Sequence, residues 1–169
     1  MNIDFRMGEM EDLKEIGMLV QQSIAHMIQC NINQWDDLYP SEEDFRIDIE
    51  KNQLFVGTID GEIAVVYVLN QECDEAYENG EWEYKDPTFY VIHRVCVKPS
   101  FQNCGVAKRV MAYVEKQVLL WGGQSIRLDV FSENPYALKL YEACGYNRVG
   151  EANWRKGKFY LMEKYLDKH

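Results

Sequence analysis

The sequence predicts an α/β fold in which helices pack on a mixed sheet. In some segments apolar residues recur at spacings of three and four, which is typical of amphipathic helices, and these alternate with short β-branched runs typical of strands. The length of 169 residues suits one compact domain, and the 47% apolar content can form a core without disulfides. We therefore predict a single domain over residues 1–169 with the order β-α-α-β-β-β-α-β-α-β-β.

The first part of the chain predicts one strand and two helices. Ile3 to Arg6 forms a short strand, and Glu11 to Gln29 forms a helix with apolar residues at helical spacing. Ser41 and Asp44 make a capping-box pattern that begins a second helix, which ends near Asn52. The positions expected to face the core on the first helix are Leu13, Ile16, Val20, Ile24 and Met27. The second helix contains Phe45, Ile47 and Ile49, whose spacing is less regular.

The middle of the chain predicts a hairpin and a central strand. Leu54 to Ile59 and Glu62 to Asn70 are joined by Asp60-Gly61, a dipeptide typical of hairpin turns. The segment Glu72 to Asp86 holds seven acids against one lysine and is expected to be a loop. Thr88 to Val97 is rich in β-branched and aromatic residues and predicts a central strand.

Two helices and three strands complete the predicted chain. Gly105 to Trp121 is a helix that stops at Gly122-Gly123, and Ser125 to Val130 is a strand. Pro135 begins a helix that stops at Gly145. The last two strands are Tyr146 to Trp154 and Lys158 to Tyr165. The core positions expected on the longer helix are Val106, Val110, Val114, Val118 and Trp121.

Charge and cysteine content limit the partners and the compartment. The net charge of −10 disfavours nucleic acid and membrane headgroups, so that any partner of the acidic surface is expected to be cationic; the alternative is that the acids only maintain solubility. Five cysteines without a CxxC pair, and an N-terminus without an apolar run, predict a reduced, cytoplasmic protein. His26 and His169 have no companion ligands, and we expect no metal site.

Residues 95–109 carry the pattern that points to chemistry. A strand runs into a short loop that opens directly into a helix, so unpaired N–H groups and the positive end of the helix dipole meet there. Gly105 and Ala107 are small enough for a phosphate to approach the main chain, and Lys108 and Arg109 add positive charge. The loop is neither a Walker loop nor a GxGxxG fingerprint. The alternative is a glycine that serves packing alone.

Two motifs follow one another at a characteristic distance. The first is Gln102-Asn103-Cys104-Gly105-Val106-Ala107, and the second runs from Asn134 through Ala137 and Tyr141 to Gly145-Tyr146. They resemble the Q/R-x-x-G-x-G/A pyrophosphate loop and the N-x-x-A-x-x-x-Y-x-x-x-G-F motif of the GNAT superfamily of acetyl-coenzyme A-dependent N-acetyltransferases. Ala107 stands where glycine is commoner. The predicted element order matches the family fold, so the resemblance covers nearly the whole chain and implies acetyl-CoA as co-substrate.

The resemblance also implies roles for the motif residues. Main-chain groups of Val95, Cys96 and Val97 would pair with the pantetheine arm, and the N–H groups from Gln102 to Lys108 would hold the pyrophosphate. Tyr141 matches the tyrosine that in many members protonates the coenzyme A sulfur. The alternatives for this tyrosine are that it positions the thiol or packs in the core.

Three further residues have open roles. His93, in the strand before Val95 and by alternation on its face, could relay a proton as the general base; a structural histidine and a water chain to Asp or Glu are the alternatives. Asn134 would cap the last helix, and in the family this position also lies beside the pantetheine. Cys96 and Cys104 invite an acyl-cysteine scheme, but the family usually transfers directly and no activating partner is present in the pattern.

The implied function is transfer of an acetyl group from acetyl-CoA to a primary amine of a small molecule or peptide. The alternative is an acyl-CoA-binding sensor or partner module without turnover, and thiol release in the presence of amines distinguishes the two. Trp35, Asp36 and Asp37, between the first two helices, suggest capture of a cationic amine; the alternative is that Trp35 packs on the core. Acceptor identity, acyl length and oligomeric state, a homodimer included, stay open.

Overall fold

Strands and helices alternate in the predicted order, which confirms the α/β fold class. The structure, a computed structural model, describes residues 1–85 and 88–166. The strands are β1 (Asp4–Met7), β2 (Leu54–Ile59), β3 (Glu62–Asn70), β4 (Phe89–Val97), β5 (Ser125–Phe131), β6 (Asn147–Trp154) and β7 (Gly157–Tyr165). The helices are α1 (Leu13–Gln29), α2 (Glu42–Glu50), α3 (Val106–Leu120) and α4 (Pro135–Ala143). Short 3₁₀ turns occupy Met10–Asp12, Glu75–Asn79 and Pro99–Phe101.

The strands form a mixed sheet. Seven strands hydrogen-bond in the order β1-β2-β3-β4-β5-β7-β6. The β1–β2, β2–β3, β5–β7 and β6–β7 pairs are antiparallel, whereas β4 and β5 run parallel. The predicted hairpin is confirmed, because Asp60 and Gly61 have φ values of 52° and 80°. Positive φ at both central residues is what a tight two-residue hairpin turn requires.

Packing groups the chain into two compact units. Unit 1 contains Met1–Leu69 and His93–Val106, and unit 2 contains Asn70–Ile92 and Ala107–His169. The first part of β4 therefore belongs to unit 2 and the last part to unit 1. The single domain expected from chain length stays a prediction. No helix among residues 1–85 and 88–166 is long and apolar enough to cross a membrane.

Unit 1 has its core between two helices and the first strands. The predicted capping box at the start of α2 is present, since the Ser41 hydroxyl accepts a hydrogen bond from the Asp44 N–H. The less regular spacing on α2 leaves Ile47 38% exposed, whereas Asp48 beside it is buried. The buried apolar side chains that pack together are Ile16, Leu19, Val20, Ile24, Phe45, Ile49, Leu54, Val56, Ile63, Val66, Val68 and Cys96.

Unit 2 combines α3 and α4 with β5, β6 and β7. The four valines of α3 are buried as predicted, but Trp121 is 46% exposed because the helix has already ended at Leu120. Residues 72–85, here called the acidic strap, are the described part of the predicted acidic loop; Asp86 lies outside the described residues. Tyr77 and Trp82 of the strap pack against Val91, Ala152 and Leu161.

Candidate functional site

The β4–α3 junction has the strand-turn-helix geometry that the sequence predicts. The Lys98 N–H donates to the Ala64 carbonyl at 2.8 Å, which ties the end of β4 to β3. The 3₁₀ turn Pro99–Phe101 follows, and the chain then reaches α3 through Asn103 and Gly105, whose φ values are 62° and 76°. These left-handed positions reverse the chain, so that α3 begins immediately after the loop.

Gly105 is required for its backbone conformation. A φ of 76° is strained for residues with a side chain, and no atom beyond the neighbouring residues of the chain lies within 4 Å of the position that a Cβ would take. The main chain is thus open to the outside at the start of α3, where the first four N–H groups of a helix have no partner within that helix. Lys108 is exposed on the first turn. Such a helix end can accept an anion.

Side chains of the loop stabilise its own shape. The Gln102 side-chain amide donates to the Val97 carbonyl at 3.2 Å, which closes the loop onto the end of β4. The exposed Cys104 thiol donates to the Gln102 carbonyl at 3.5 Å. Val106 is buried and Ala107 is half-buried, so both anchor the first turn of α3. These contacts hold the side chains of Gln102 and Cys104 within the loop.

Cys96 is not suited to be a nucleophile. It lies in the core of unit 1 with 3% of its surface exposed, between the half-buried Val95 and Val97. Burial raises the pKa of its thiol to about 12, against a smaller opposing effect of the hydrogen bond with Ser23. The thiolate is the reactive form of cysteine. The geometry thus argues against an acyl-enzyme at Cys96.

The strand carries an irregularity that the sequence did not indicate. Arg94 has a φ of 50° in the middle of β4, directly after the half-buried His93. Its guanidinium lies 3.4 Å from a carboxylate oxygen of Asp48 and 5.5 Å from the ring centre of Tyr39. A left-handed residue interrupts the alternation of side chains along a strand. The expectation that His93 and Val95 share a face rests on regular alternation, from which the backbone departs at Arg94, and it stays a prediction.

Tyr141 and Asn134 occupy the two ends of α4 in unit 2. The Asn134 side-chain oxygen accepts a hydrogen bond from the Ala137 N–H at 3.1 Å, so the capping role is present. Tyr141 is 9% exposed, and its ring meets Tyr146 edge-on at 6.0 Å. Burial raises the pKa of the Tyr141 phenol, and the charges of Asp129 and Cys144 raise it further. The phenol therefore keeps its proton at neutral and moderately alkaline pH.

In the turn between α1 and α2, two of the three residues expected to capture a cationic amine have structural contacts instead. Trp35 packs against the core of unit 1, as the alternative reading held. The Asp36 carboxylate accepts hydrogen bonds from the N–H groups of Leu38 and Tyr39 at 3.0 and 3.2 Å. Asp36 thus shapes the turn, whereas Asp37 is exposed.

Across residues 1–85 and 88–166, no three His, Cys, Asp or Glu side chains are grouped to hold a metal ion.

The predicted site residues fall into two sets. The set in unit 1 follows the chain from His93 to Val106, and the set in unit 2 comprises Ala107, Lys108, Asn134 and Tyr141. Sequence reasoning missed Arg94, whose positive φ no sequence pattern indicates. It also missed Asp129, which receives a hydrogen bond from Tyr77 of the acidic strap at 2.6 Å.

Known proteins of the same architecture include two solved acetyltransferases. A GNAT-family acetyltransferase from Streptococcus agalactiae is 22% identical, with a TM-score of 0.85 over 98% of this chain and 96% of that one. The PaiA N-acetyltransferase from Thermoplasma acidophilum, solved in complex with coenzyme A, is 17% identical, with a TM-score of 0.74 over 98% and 99% of the two chains. At these identities the likeness concerns the fold.

Sequence comparison extends the likeness beyond the fold. An uncharacterized N-acetyltransferase from the pepI 3′ region of Lactobacillus delbrueckii subsp. lactis is 29% identical over 93 residues, which are 55% of this chain. The chain spans 50% of the length of that relative. Residues 20–146, well over half of the chain and including both motifs, match the Acetyltransferase (GNAT) family. Because the match covers most of the chain, this protein belongs to the Acetyltransferase (GNAT) family.

Proposed function

We propose that this protein is an N-acetyltransferase that transfers the acetyl group of acetyl-CoA directly to a primary amine of a small molecule or peptide. The observation that carries the proposal is the β4–α3 junction, where a left-handed, unobstructed Gly105 exposes the main chain at the start of a helix. Family membership supports acetyl transfer, and the Lactobacillus relative is named an N-acetyltransferase. The Thermoplasma neighbour was solved with coenzyme A.

Each part of the co-substrate has a proposed partner. The pyrophosphate binds to the N–H groups from Gln102 to Lys108, because unpaired donors and the helix dipole both favour an anion there. The pantetheine arm pairs with main-chain groups of Val95, Cys96 and Val97. Asn134 caps α4 and contacts the arm. These assignments rest on the motifs, and the backbone conformation at Asn103 and Gly105 supports them.

Direct transfer needs few groups. The amine nitrogen attacks the thioester carbonyl and gives up a proton to a base, for which His93 is the candidate and a water chain to a carboxylate the alternative. The sulfur leaves with the electron pair of its bond to carbon. Tyr141 gives that sulfur a proton, a role supported by its buried and protonated phenol. The high pKa of the Cys96 thiol favours this one-step route over an acyl-cysteine.

A pair of glycine substitutions tests the binding site. We expect Gly105→Glu to weaken acetyl-CoA binding at least about tenfold, because a carboxylate would stand beside the pyrophosphate. Gly122→Glu is the matched control, since Gly122 has a φ of 85° and equally open surroundings at the other end of α3. Calorimetry on the folded variants measures both affinities. Equal affinities for the two variants would contradict the assignment.

Turnover is tested separately. We expect thiol release from acetyl-CoA when the protein is mixed with a panel of primary amines, and the acetylated amine should appear in equal amount by mass spectrometry. Tight binding of acetyl-CoA without thiol release across the panel would instead favour the acyl-CoA-binding module. Loss of both binding and release would exclude acetyl-CoA as the co-substrate.

A further inference from the structure

A groove lies between α1 and the turn that follows β4. Its volume of about 530 Å³ is in the range of small-molecule binding sites. It is lined by residues 98–100 and by one face of α1, which carries Gln22, Ala25, His26 and Gln29. All of these residues belong to unit 1. The groove is here called the α1 groove.

The α1 groove offers hydrogen-bond donors and, among the described residues, no carboxylate in its lining. Lys98 carries an ammonium group, Ser100 carries a hydroxyl, and Gln22 and Gln29 carry carboxamides. The chain as a whole has 28 acidic residues against 18 Lys and Arg. A groove with this lining therefore differs from the general surface of the protein. It favours an anionic ligand over an ammonium group.

Lys98 places a cation at the α1 groove. Its main-chain N–H is tied to Ala64 of β3, and its half-buried side chain forms an ion pair with Glu62. The Glu62 side chain is 45% exposed, and an ion pair in contact with water contributes little. An ammonium group has three donor hydrogens, so a single carboxylate leaves donors for a second anion. Lys98 can therefore bind a phosphate that enters the groove.

A flat ring and apolar groups complete the lining. The His26 Nε2 lies 3.9 Å from the Cys30 Sγ one turn further along α1, a contact that helps to fix the half-buried imidazole. Pro99 and Ala25 add apolar surface. A nucleobase stacks on an imidazole ring and packs on apolar groups of this kind. The groove thus combines a partner for a phosphate with a surface for a base, which suits a nucleotide better than a bare inorganic anion.

The α1 groove adjoins the segment proposed to bind the co-substrate. The Phe101 N–H donates to the Lys98 carbonyl at 2.9 Å, so residues 98–101 form one compact turn directly before Gln102. In acetyl-CoA the pyrophosphate carries the pantetheine arm on one side and an adenosine with a 3′-phosphate on the other. The arm and the pyrophosphate have proposed partners between Val95 and Lys108, whereas the adenosine has none in that proposal. The groove supplies both kinds of contact that this end of the co-substrate needs.

We propose that the α1 groove binds the adenosine 3′-phosphate of acetyl-CoA, with Lys98 as the partner of the phosphate and with His26 and Pro99 as the surface for the base. This site deepens the proposed function and rests on it. It makes α1 part of the co-substrate site. It also gives the protein a means to distinguish acetyl-CoA from the same thioester without the 3′-phosphate.

The test compares the affinities of acetyl-CoA and acetyl-dephospho-CoA, which lacks only the 3′-phosphate. We expect the parent to bind the dephospho form at least about tenfold more weakly, because a charge-assisted contact is lost. Lys98→Gln should weaken acetyl-CoA binding by a similar factor and leave the affinity for the dephospho form within about twofold. Glu62→Gln should strengthen the binding of acetyl-CoA alone, since Lys98 is then released from its carboxylate partner. Calorimetry on the folded variants measures each dissociation constant.

Two neighbouring glutamines provide a matched control. Gln21 and Gln22 are both exposed on α1, and Gln22 lines the groove. Gln22→Glu should weaken acetyl-CoA binding several-fold more than binding of the dephospho form, whereas Gln21→Glu should affect both forms little. Equal effects of these two variants, equal affinities of the parent for the two forms, or a preference that survives Lys98→Gln would each overturn the inference and leave the proposed function intact. Absence of acetyl-CoA binding by the parent would instead overturn the proposed function, and this inference with it.

Discussion

Burial has opposite consequences for two groups of the proposed site. Cys96 and Tyr141 are each buried enough that the protonated form is favoured, which raises both pKa values. A thiol that keeps its proton is a poor nucleophile, whereas a phenol that keeps its proton can serve as a general acid. The same physical effect therefore disfavours the acyl-cysteine route and favours proton donation from Tyr141.

Replacement of Tyr141 tests that role at the level of one hydroxyl. We expect Tyr141→Phe to lower kcat by about 10²–10⁴-fold while the dissociation constant of acetyl-CoA changes little, because only the transition state needs the proton. Since its pKa is raised above 10, Tyr141 should remain protonated across the assay range, and the parent should show no alkaline limb from this group below about pH 10. Steady-state kinetics and calorimetry measure the two quantities.

A control on another helix completes this comparison. Tyr113 of α3 is 37% exposed, and Tyr113→Phe should leave kcat near that of the parent. A kcat for Tyr141→Phe within about threefold of the parent would assign Tyr141 to packing, because general acid catalysis contributes far more than that. An early loss of activity on the alkaline side in the parent would also contradict a phenol of raised pKa.

Local sequence patterns predicted the elements more accurately than their contacts. The Ser41 and Asp44 capping box and the Asp60-Gly61 turn act within a few residues, and both are present. Arg94 in β4 and the Tyr77–Asp129 hydrogen bond depend on packing between segments far apart in the chain. No periodicity carries such information. The motif residues could therefore be predicted, whereas the environment that sets their protonation could not.

The acidic strap is an element attached to the edge strand by close backbone packing. The Glu81 N–H donates to the Val149 carbonyl at 2.7 Å, and the Asn79 side chain donates to the Glu151 carbonyl. A Cβ on Gly150 would lie 2.9 Å from both the Asn79 carbonyl oxygen and the Gly80 Cα. Backbone atoms cannot yield as a flexible side chain can, so a methyl group at Gly150 must displace the strap.

An alanine pair tests the attachment of the strap. We expect Gly150→Ala to lower the free energy of unfolding by about 1–3 kcal/mol, the usual cost of an overpacked contact. Gly17→Ala in α1 is the control, because nothing lies within 4 Å of its added Cβ. It should raise the free energy of unfolding by about 0.5–1 kcal/mol through helix propensity. Urea titrations measure both values, and a Gly150→Ala protein as stable as the parent would contradict this packing.

At the scale of the whole molecule, the net charge of −10 is the feature that could attract a cationic acceptor. The turn between α1 and α2 suggested a local ammonium site instead. Trp35 packs against the core, and the Asp36 carboxylate accepts hydrogen bonds within the turn. Of these three residues, Asp37 is the exposed carboxylate. One exposed carboxylate contributes little in water. A field summed over many acids can still raise the rate at which a cationic acceptor arrives.

The dependence of kcat/KM on salt concentration tests whether this field attracts the acceptor. We expect kcat/KM for a diamine, which keeps one positive charge while its other nitrogen reacts, to fall several-fold between about 10 mM and 0.5 M salt, because the Debye length shrinks from about 30 Å to a few ångströms. An uncharged arylamine, assayed with the same saturating acetyl-CoA, should show no such fall. Asp37→Asn should retain most of the diamine's salt dependence if the whole surface acts, and should lose it if this one carboxylate captures the amine. Equal salt responses for the diamine and the arylamine would rule out electrostatic capture of the acceptor.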